Sequence, residues 1–419
     1  MTSDGSMFTK QTPYFAFCHG FNKDQKGVTV SFDAVSASLL MDVPEEGDGR
    51  YSALAKLITY NIDIRLPHDK FIELKDDMGY PEEGSWSRMD VSSGGKYTLA
   101  VRNADTDLNL DEEQPRAFLR QLSINELEPV KKRVALPRIN TSRSEIKKLL
   151  IGKRIGGPTF ISVYNVGQGL CCALCDEKSA APLLYFDFGC GCYANAHTRP
   201  REMKFCFSQE PPIVLSHWHS DHYMGAKLLD DAALDMKWLA PYQYNVCTTT
   251  SKFAAFLHCN RNLLMWPDDL SYLNVPFGTI VKCKGGMLNR SGLALIARTY
   301  TTQGENEHSF KTLLPGDAGY DDICDSNMIF DAFVATHHGG DTTGNVPKSM
   351  GDEPIFAISY GNRNSYEHPK DQRMNDIMNA GWRRRLNTVD GNIALCWRGD
   401  NLPMLGCGGK ECSLHIQQI

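Results

Sequence analysis

The chain has 419 residues, 42% of them hydrophobic and 22% charged, with a net charge of −6. This composition excludes a disordered or fibrous chain, and the negative balance excludes a global positive field for nucleic acid, leaving room only for a local basic patch. The length exceeds one compact core and predicts two domains, residues 1–150 and 151–419.

Residues 1–6, MTSDGS, lack the basic start and apolar stretch of a signal peptide. No run reaches the roughly 18 apolar residues of a membrane helix. A cytoplasmic protein without membrane contact is therefore expected. The 14 cysteines are scattered and read as reduced, buried thiols. Cys172 and Cys175 lie three apart in an apolar strand pattern, which turns them to opposite faces.

From residue 1 to about 140, short strand patterns (Tyr14-Phe-Ala-Phe-Cys18, Val28-Thr-Val-Ser-Phe32, Tyr97-Thr-Leu-Ala-Val-Arg102) alternate with acidic, glycine-containing turns. They predict a β-rich or α+β domain without a catalytic constellation, whose role would be to lend substrate or protein-partner specificity. Residues 140–151, a Ser/Thr cap followed by Glu and an apolar stripe, predict a connecting helix. Beyond residue 155 strands dominate: 159–164, 171–175, 183–189, 211–216, 293–298, 311–317, 329–335 and 354–359. A helix is expected over 225–238. Strands outnumbering interspersed helices describe an α/β (α+β) sandwich of two mixed sheets covered by helices.

The chain has 12 histidines, and three of them fall in the six residues His217-Trp-His-Ser-Asp-His222, just after an apolar strand pattern. Residues two apart on an extended backbone share a side, so His217 and His219 can chelate one ion together. Asp221 and His222 can reach a second. Asp317 follows an apolar strand and can bridge two cations with its two oxygens. His337 and His338 follow another strand, and His368 ends a polar loop after a fourth. Four polar clusters at four strand ends read as one dinuclear metal centre.

These residues resemble the signature of the metallo-β-lactamase fold. Residues 159–396 are similar to the hydrolase domain of ComEC-type DNA-uptake proteins, through Asn165-Val-Gly-Gln-Gly169, Asp187-Phe-Gly189, residues 289–295, Leu314-Pro-Gly-Asp317, His337-His-Gly339, residues 359–369 and residues 388–393. The resemblance implies an αβ/βα sandwich with the metals at one edge. The chain departs from the ComEC pattern in Leu170, where an acidic residue is usual, and in His219, where aspartate is frequent. A further isolated histidine is not obvious; His258 and His308 are the candidates.

The resulting expectation is a metal-dependent hydrolase with two divalent ions, zinc before manganese. His217 and His219 would hold the first ion, Asp221 and His222 the second, and Asp317 would bridge. His338, or His368 in its place, would complete the second site. Asp221, His337 and His368 are the catalytic candidates, and Asp187 would orient a ligand histidine. Asn289, Arg363 and Asn364 are candidate substrate contacts. Arg199, Arg201, Arg363, Lys370, Arg373 and residues 383–385 could form a positive rim for phosphate oxygens. A phosphodiester, DNA or RNA included, is thus the first substrate expected. A lactone, thioester or other small carbonyl substrate is the second, and a non-catalytic partner-binding role the third.

Overall fold

The structure is a computed structural model that describes residues 12–79, 82–106, 108–110, 115–151, 158–201, 203, 205–303, 306–323, 328–350 and 354–395. The chain divides into two compact units. The first comprises Met1–Pro137 together with Tyr244–Arg261, and the second comprises Arg138–Gln243 and Asn262–Ile419.

The first unit is built on an antiparallel sheet of seven strands. At its centre lie Trp86–Val91, Pro13–Asp24, Gly27–Ser36 and Thr59–Leu66, in that order. One face buries Ala16, Val30, Phe32 and Ile62 with Phe71 and Leu74 of the helix His68–Asp77. The other face buries Phe15, Phe17, Val35 and Trp86 with Leu40, Leu54, Val130 and Ala255. Alternation along each strand feeds both cores, because successive side chains point to opposite faces. Ala255 belongs to the helix Thr248–Cys259, which returns to this unit from the middle of the second unit's sequence. The helix Ile124–Arg133 starts with a capping box: Ser123 accepts from the Glu126 N–H while the Glu126 side chain accepts from the Ser123 N–H.

The second unit stacks two seven-stranded sheets. The first runs Leu263–Trp266, Trp238–Pro241, Ile213–Val214, Pro182–Phe188, Cys171–Asp176, Thr159–Val163, Ile393–Leu395. The second runs Tyr272–Val275, Gly278–Lys282, Leu293–Gln303, Asn306–Leu314, Ala332–Val334, Ile355–Ile358, Arg384–Asn387. One core holds Ile161, Val163, Cys172, Leu174 and Phe186 from one sheet against Leu293, Leu295, Leu314, Val334 and Ala357 from the other. Cys172 faces this core, whereas Cys175 lies against Ser162 and Tyr164. Outside the second sheet, Met374 and Ile377 of the helix Asp371–Asn379 cover Phe333 and Phe356. This is a sandwich of two mixed sheets packed face to face.

Three local expectations change. The helix Arg143–Ile151 is capped by Ser142 (Glu145 N to Ser142 Oγ 3.2 Å), but it packs Ile146 and Leu150 into the second unit's core. The helix expected over 225–238 breaks into a turn at Gly225–Leu228, a 3-10 turn at Asp231–Asp235 and the strand starting at Trp238. Asp230 stops the helix by accepting from the Ala232 N–H with its own side chain. Arg384 and Arg385, expected in a positive rim, lie in an edge strand.

In the capping box, Glu126 also receives both Arg120 guanidinium nitrogens, at 2.9 and 2.6 Å. Arg120 and the Ser123 N–H together hold its carboxyl down to about 2, from an ordinary 4.5. A lowered folded-state value contributes stability above pH 4.5 that is lost as pH falls toward 2. Glu126→Gln is therefore expected to destabilise the first unit by about 1 kcal/mol at neutral pH. Urea unfolding followed across pH 7 to 3 should show the gap between wild type and variant closing on the acid side.

Candidate metal centre

The strand Ile213–Val214 is only two residues long, and the chain leaves it for Ser216 and His217 at the sheet's edge. The neighbouring parallel strand Pro182–Phe188 supplies Asp187, which is wholly buried and adopts a left-handed φ of 60°. Aspartate enters that region more readily than most residues. Its Oδ1 accepts from the Ser216 N–H (2.5 Å), and its Oδ2 accepts from the Ser216 hydroxyl and from His222 Nδ1, both at 2.8 Å. Burial raises the Asp187 carboxyl above the ordinary range, against the pull of His222. One carboxylate thus fixes both the start and the end of the histidine loop.

Gly189 lets that loop approach. A Cβ there would stand 1.7 Å from the Asp221 carbonyl oxygen and 2.6 Å from the His222 Cα. Only a residue without a side chain fits. From the second sheet, Asp317 follows the strand Asn306–Leu314, and His337 and His338 follow Ala332–Val334. Both histidines have left-handed φ, 51° and 55°. Such strain costs on the order of 1 kcal/mol or more per residue and collects at functional sites.

Outer partners set the tautomers. A carbonyl or carboxylate oxygen can only accept, so His338 Nδ1 donates to the Ser359 carbonyl, His337 Nδ1 to the Asp341 carbonyl and His222 Nδ1 to Asp187, each at 2.8 Å. The Ser216 hydroxyl gives its proton to Asp187 and therefore accepts from His217 Nδ1 (3.0 Å). All four imidazoles consequently aim Nε2 at carboxylates. Asp317 Oδ1 lies 3.2 Å from His222 Nε2 and 3.9 Å from His338 Nε2. Asp317 Oδ2 lies 3.7 Å from His217 Nε2 and 3.9 Å from His337 Nε2. Asp221 Oδ2 lies 3.2 Å from His338 Nε2.

Nε2 of His217, His222 and His338 and Oδ1 of Asp317 are buried and make no hydrogen bond. Lone pairs facing carboxylate oxygens repel unless a proton or a cation lies between them. The titration of the cluster reflects this. Burial works to lower His222, but Asp317, Asp187 and Asp221 push it well above the ordinary imidazole value. Burial similarly opposes His338, which the facing Asp221 and Asp317 carboxylates raise. Burial and the His222 charge drive His217 well down. Asp317 is held well below the usual carboxylate range by His222 and His337 despite its burial. Two groups of potential ligand atoms lie within 4.8 Å of one another: His217, His222 and Asp317; and Asp221, His222 and His338. The donor set, imidazole nitrogen with carboxylate oxygen, fits a divalent ion of the zinc, manganese or iron class.

The expected residues divide accordingly. His217, Asp221, His222, Asp317 and His338 converge. His219 stands beside them, its ring 4.8 Å from that of His217 and outside both groups. His337 and His368 lie at the margin with ring centroids 5.2 Å apart. His338, and not His368, belongs to one of the two groups. Gln168 donates to His368 Nδ1 (3.5 Å), while burial and the charges of His337 and His338 push His368 down to about 3. His368 is a neutral imidazole at neutral pH.

Asn364 spends its polar atoms on its own loop, donating to the Gly361 and His368 carbonyls and accepting from the Tyr366 and His368 N–H groups. It positions His368. Arg363 is exposed on the same loop, and its carbonyl accepts from His197 Nε2. Asn289 sits in a 3-10 turn with Oδ1 buried and without a hydrogen bond. His258 packs on Tyr51 in the first unit, and the His308 side chain lies outside the described residues.

Gln168, Ser216 and Ser359 were not singled out by sequence, although Gln168 and Ser359 fall within quoted motifs. Ser216 immediately precedes the histidines, and that adjacency was the available signal.

No protein-family model matches the chain, and no curated protein sequence does. Among solved structures it is similar to CmlA, a diiron β-hydroxylase from Streptomyces venezuelae, at 12% identity and a TM-score of 0.32, covering 82% of this chain and 77% of that one. A point variant of CmlA β-hydroxylase matches at 12% identity and a TM-score of 0.31, over 71% and 69%. The resemblance to ComEC-type DNA-uptake proteins is therefore corrected: these two solved structures are of CmlA β-hydroxylase, not of a DNA-uptake protein. The physical reason is that a histidine–aspartate cluster at strand ends specifies a metal centre and leaves the substrate open. Among the described residues no helix is long and apolar enough to cross a membrane.

Asp187→Asn preserves shape but replaces an anionic acceptor with an amide. It is expected to weaken divalent-metal binding about 10- to 100-fold. Competition with a chromophoric chelator measures this directly.

Proposed function

We propose that the chain is a metal-dependent hydrolase whose substrate is a phosphodiester. The observation that carries the metal dependence is the convergence of four imidazole Nε2 atoms on Asp317 and Asp221. Asp317 turns one oxygen to His217 and His337 and the other to His222 and His338, the arrangement of a carboxylate shared by two cations. His217, His219 and Asp317 would hold one ion, and Asp221, His222, His338 and Asp317 the other, with zinc the first choice and manganese the second. A pair of divalent cations, when bound, supplies Lewis acidity and water activation at neutral pH.

The chain's own residues then do the following. Asp221 and His337, with side chains 20% and 30% exposed, form the accessible side of the cluster and meet the substrate there. His337 presents an unprotonated Nε2, since its Nδ1–H is committed to the Asp341 carbonyl. It can accept a proton from the attacking water. His368, neutral and positioned by Asn364 and Gln168, donates a hydrogen bond to the departing oxygen.

The charge at the mouth supports a phosphate over a neutral carbonyl. Arg363 and the turn that ends at Arg199 are brought together by the His197–Arg363 contact and by Ser365 N–H donating to Asn195 (2.6 Å). Lys370 and Arg373 of the expected basic rim are neutralised, because both pair with Asp341 and Arg373 also with Asp376. One exposed arginine, Arg363, suits a short phosphodiester better than a long duplex, whose grip takes many phosphate contacts. A cavity of about 370 Å³ opens between Thr336, Gly339, Asn345 and Arg373, and no side chain of the cluster lines it.

Hydrolysis of bis-p-nitrophenyl phosphate with zinc or manganese tests the reading. Asp221→Ala is expected to lower kcat/KM about 10²- to 10³-fold, and His337→Ala about 10²-fold. Metal analysis should find one ion fewer per chain in His338→Ala than in wild type. Turnover of lactones or thioesters in place of phosphodiesters would overturn the substrate class. A metal-loaded chain inert toward all three would overturn the hydrolase.

A further inference from the structure

A second group of potential ligands lies in the first unit, built from three distant pieces of sequence. His19, Asp33 and Cys247 each bring one ligand atom within 4.8 Å of the others. Each is placed by a separate feature of the fold. His19 stands at a bulge: Cys18 pairs with Phe32 and Gly20 with Ser31, so His19 has no opposite residue in the ladder. A bulge of this kind re-aims a side chain and recurs beside functional sites. Asp33 lies on the adjacent strand Gly27–Ser36. Cys247 is the residue before the helix Thr248–Cys259, where its sulfur accepts from the Thr250 N–H (3.4 Å) and meets the Thr250 hydroxyl at 3.2 Å.

Asp33 supplies the second, independent observation. It is 1% exposed; its Oδ1 accepts from the Thr248 and Thr249 N–H groups at 3.0 and 3.3 Å, and its Oδ2 is buried with no hydrogen bond. A helix cap alone accounts for Oδ1 and leaves Oδ2 unexplained. Burying such an oxygen without a partner costs about 1–3 kcal/mol.

We propose that His19, Asp33 and Cys247 hold a divalent cation of the zinc class, through one imidazole nitrogen, one carboxylate oxygen and one thiolate. Three protein ligands of these types leave a fourth tetrahedral position to water. The cation satisfies Asp33 Oδ2, and the Thr250 donors stabilise the thiolate that coordination requires. It ties the strands Pro13–Asp24 and Gly27–Ser36 to a helix more than two hundred residues later in the chain. A nucleophilic role for Cys247 fits less well, since burial and the Asp33 charge drive its thiol far above the ordinary value, and without a cation no thiolate forms.

Cobalt substitution of the full chain separates this site from the histidine–aspartate cluster, because the cluster contains no thiolate. A thiolate-to-cobalt charge-transfer band in the near ultraviolet is expected in wild type and equally in His222→Ala. Cys247→Ser should abolish the band and lower bound cobalt by about one ion per chain. That variant keeps a good capping oxygen at the helix start, so circular dichroism should be unchanged. Asp33→Asn, which retains the Oδ1 acceptor, should weaken cobalt binding at least about 10-fold with the fold intact. Absence of the band from wild type, or its survival in Cys247→Ser, would overturn the proposal. So would its loss in Cys259→Ser, which would assign the band to the exposed cysteine.

Discussion

The buried carboxylate of Asp187 is the contact on which the candidate centre depends. It takes the Ser216 N–H, the Ser216 hydroxyl and His222 Nδ1, and so anchors a loop that leaves its sheet after a strand of only two residues. The same contact fixes the His222 tautomer and, through Ser216, that of His217. Once these imidazoles are oriented, Nε2 has nowhere to point but at Asp317. A chain that buries lone pairs against carboxylates must supply positive charge, and a divalent ion supplies it at the least cost in protons.

The sandwich explains how the pieces meet. His217 to His222 leave one sheet, while Asp317, His337, His338 and His368 leave strands of the other. Backbone irregularity gathers at this edge: left-handed φ at Asp187, His337, His338, Arg363 and Glu367, and a glycine at 189 pressed against the Asp221 carbonyl. Strain concentrated in this way is sustained by the core behind it, where Phe186, Leu295, Val334 and Ala357 pack between the sheets. The first unit uses the same device once more, with a bulge at His19 and a helix start at Cys247 flanking a buried aspartate.

Much of this was legible as pattern. Apolar runs ending in histidine or aspartate marked the strands and their chemically active ends, because strand period and terminal polar residues are local properties. The helix expected over 225–238 failed because Asp230 turned its side chain onto the following backbone, a competition that apolar spacing does not register. Residues 383–385 looked like a positive rim, and two of them, Arg384 and Arg385, instead form a sheet edge. Asn364 resembled a substrate contact, yet its loop consumes every polar atom it has. The likeness to DNA-uptake proteins failed for a related reason: shared ligand residues report the metal, whereas substrate is read by loops around it.

By itself the sequence determined a two-unit chain, a sandwich of mixed sheets and a histidine–aspartate centre, since these follow from length, strand period and ligand-type residues in short spacing. Tertiary structure alone decided that His338 rather than His368 faces Asp221, that Asp317 turns one oxygen to each histidine pair, and that residues 244–261 fold with the N-terminal unit. It alone also brought His19, Asp33 and Cys247 together. Those outcomes rest on contacts between residues far apart in the chain, and such contacts leave no periodic trace in the sequence.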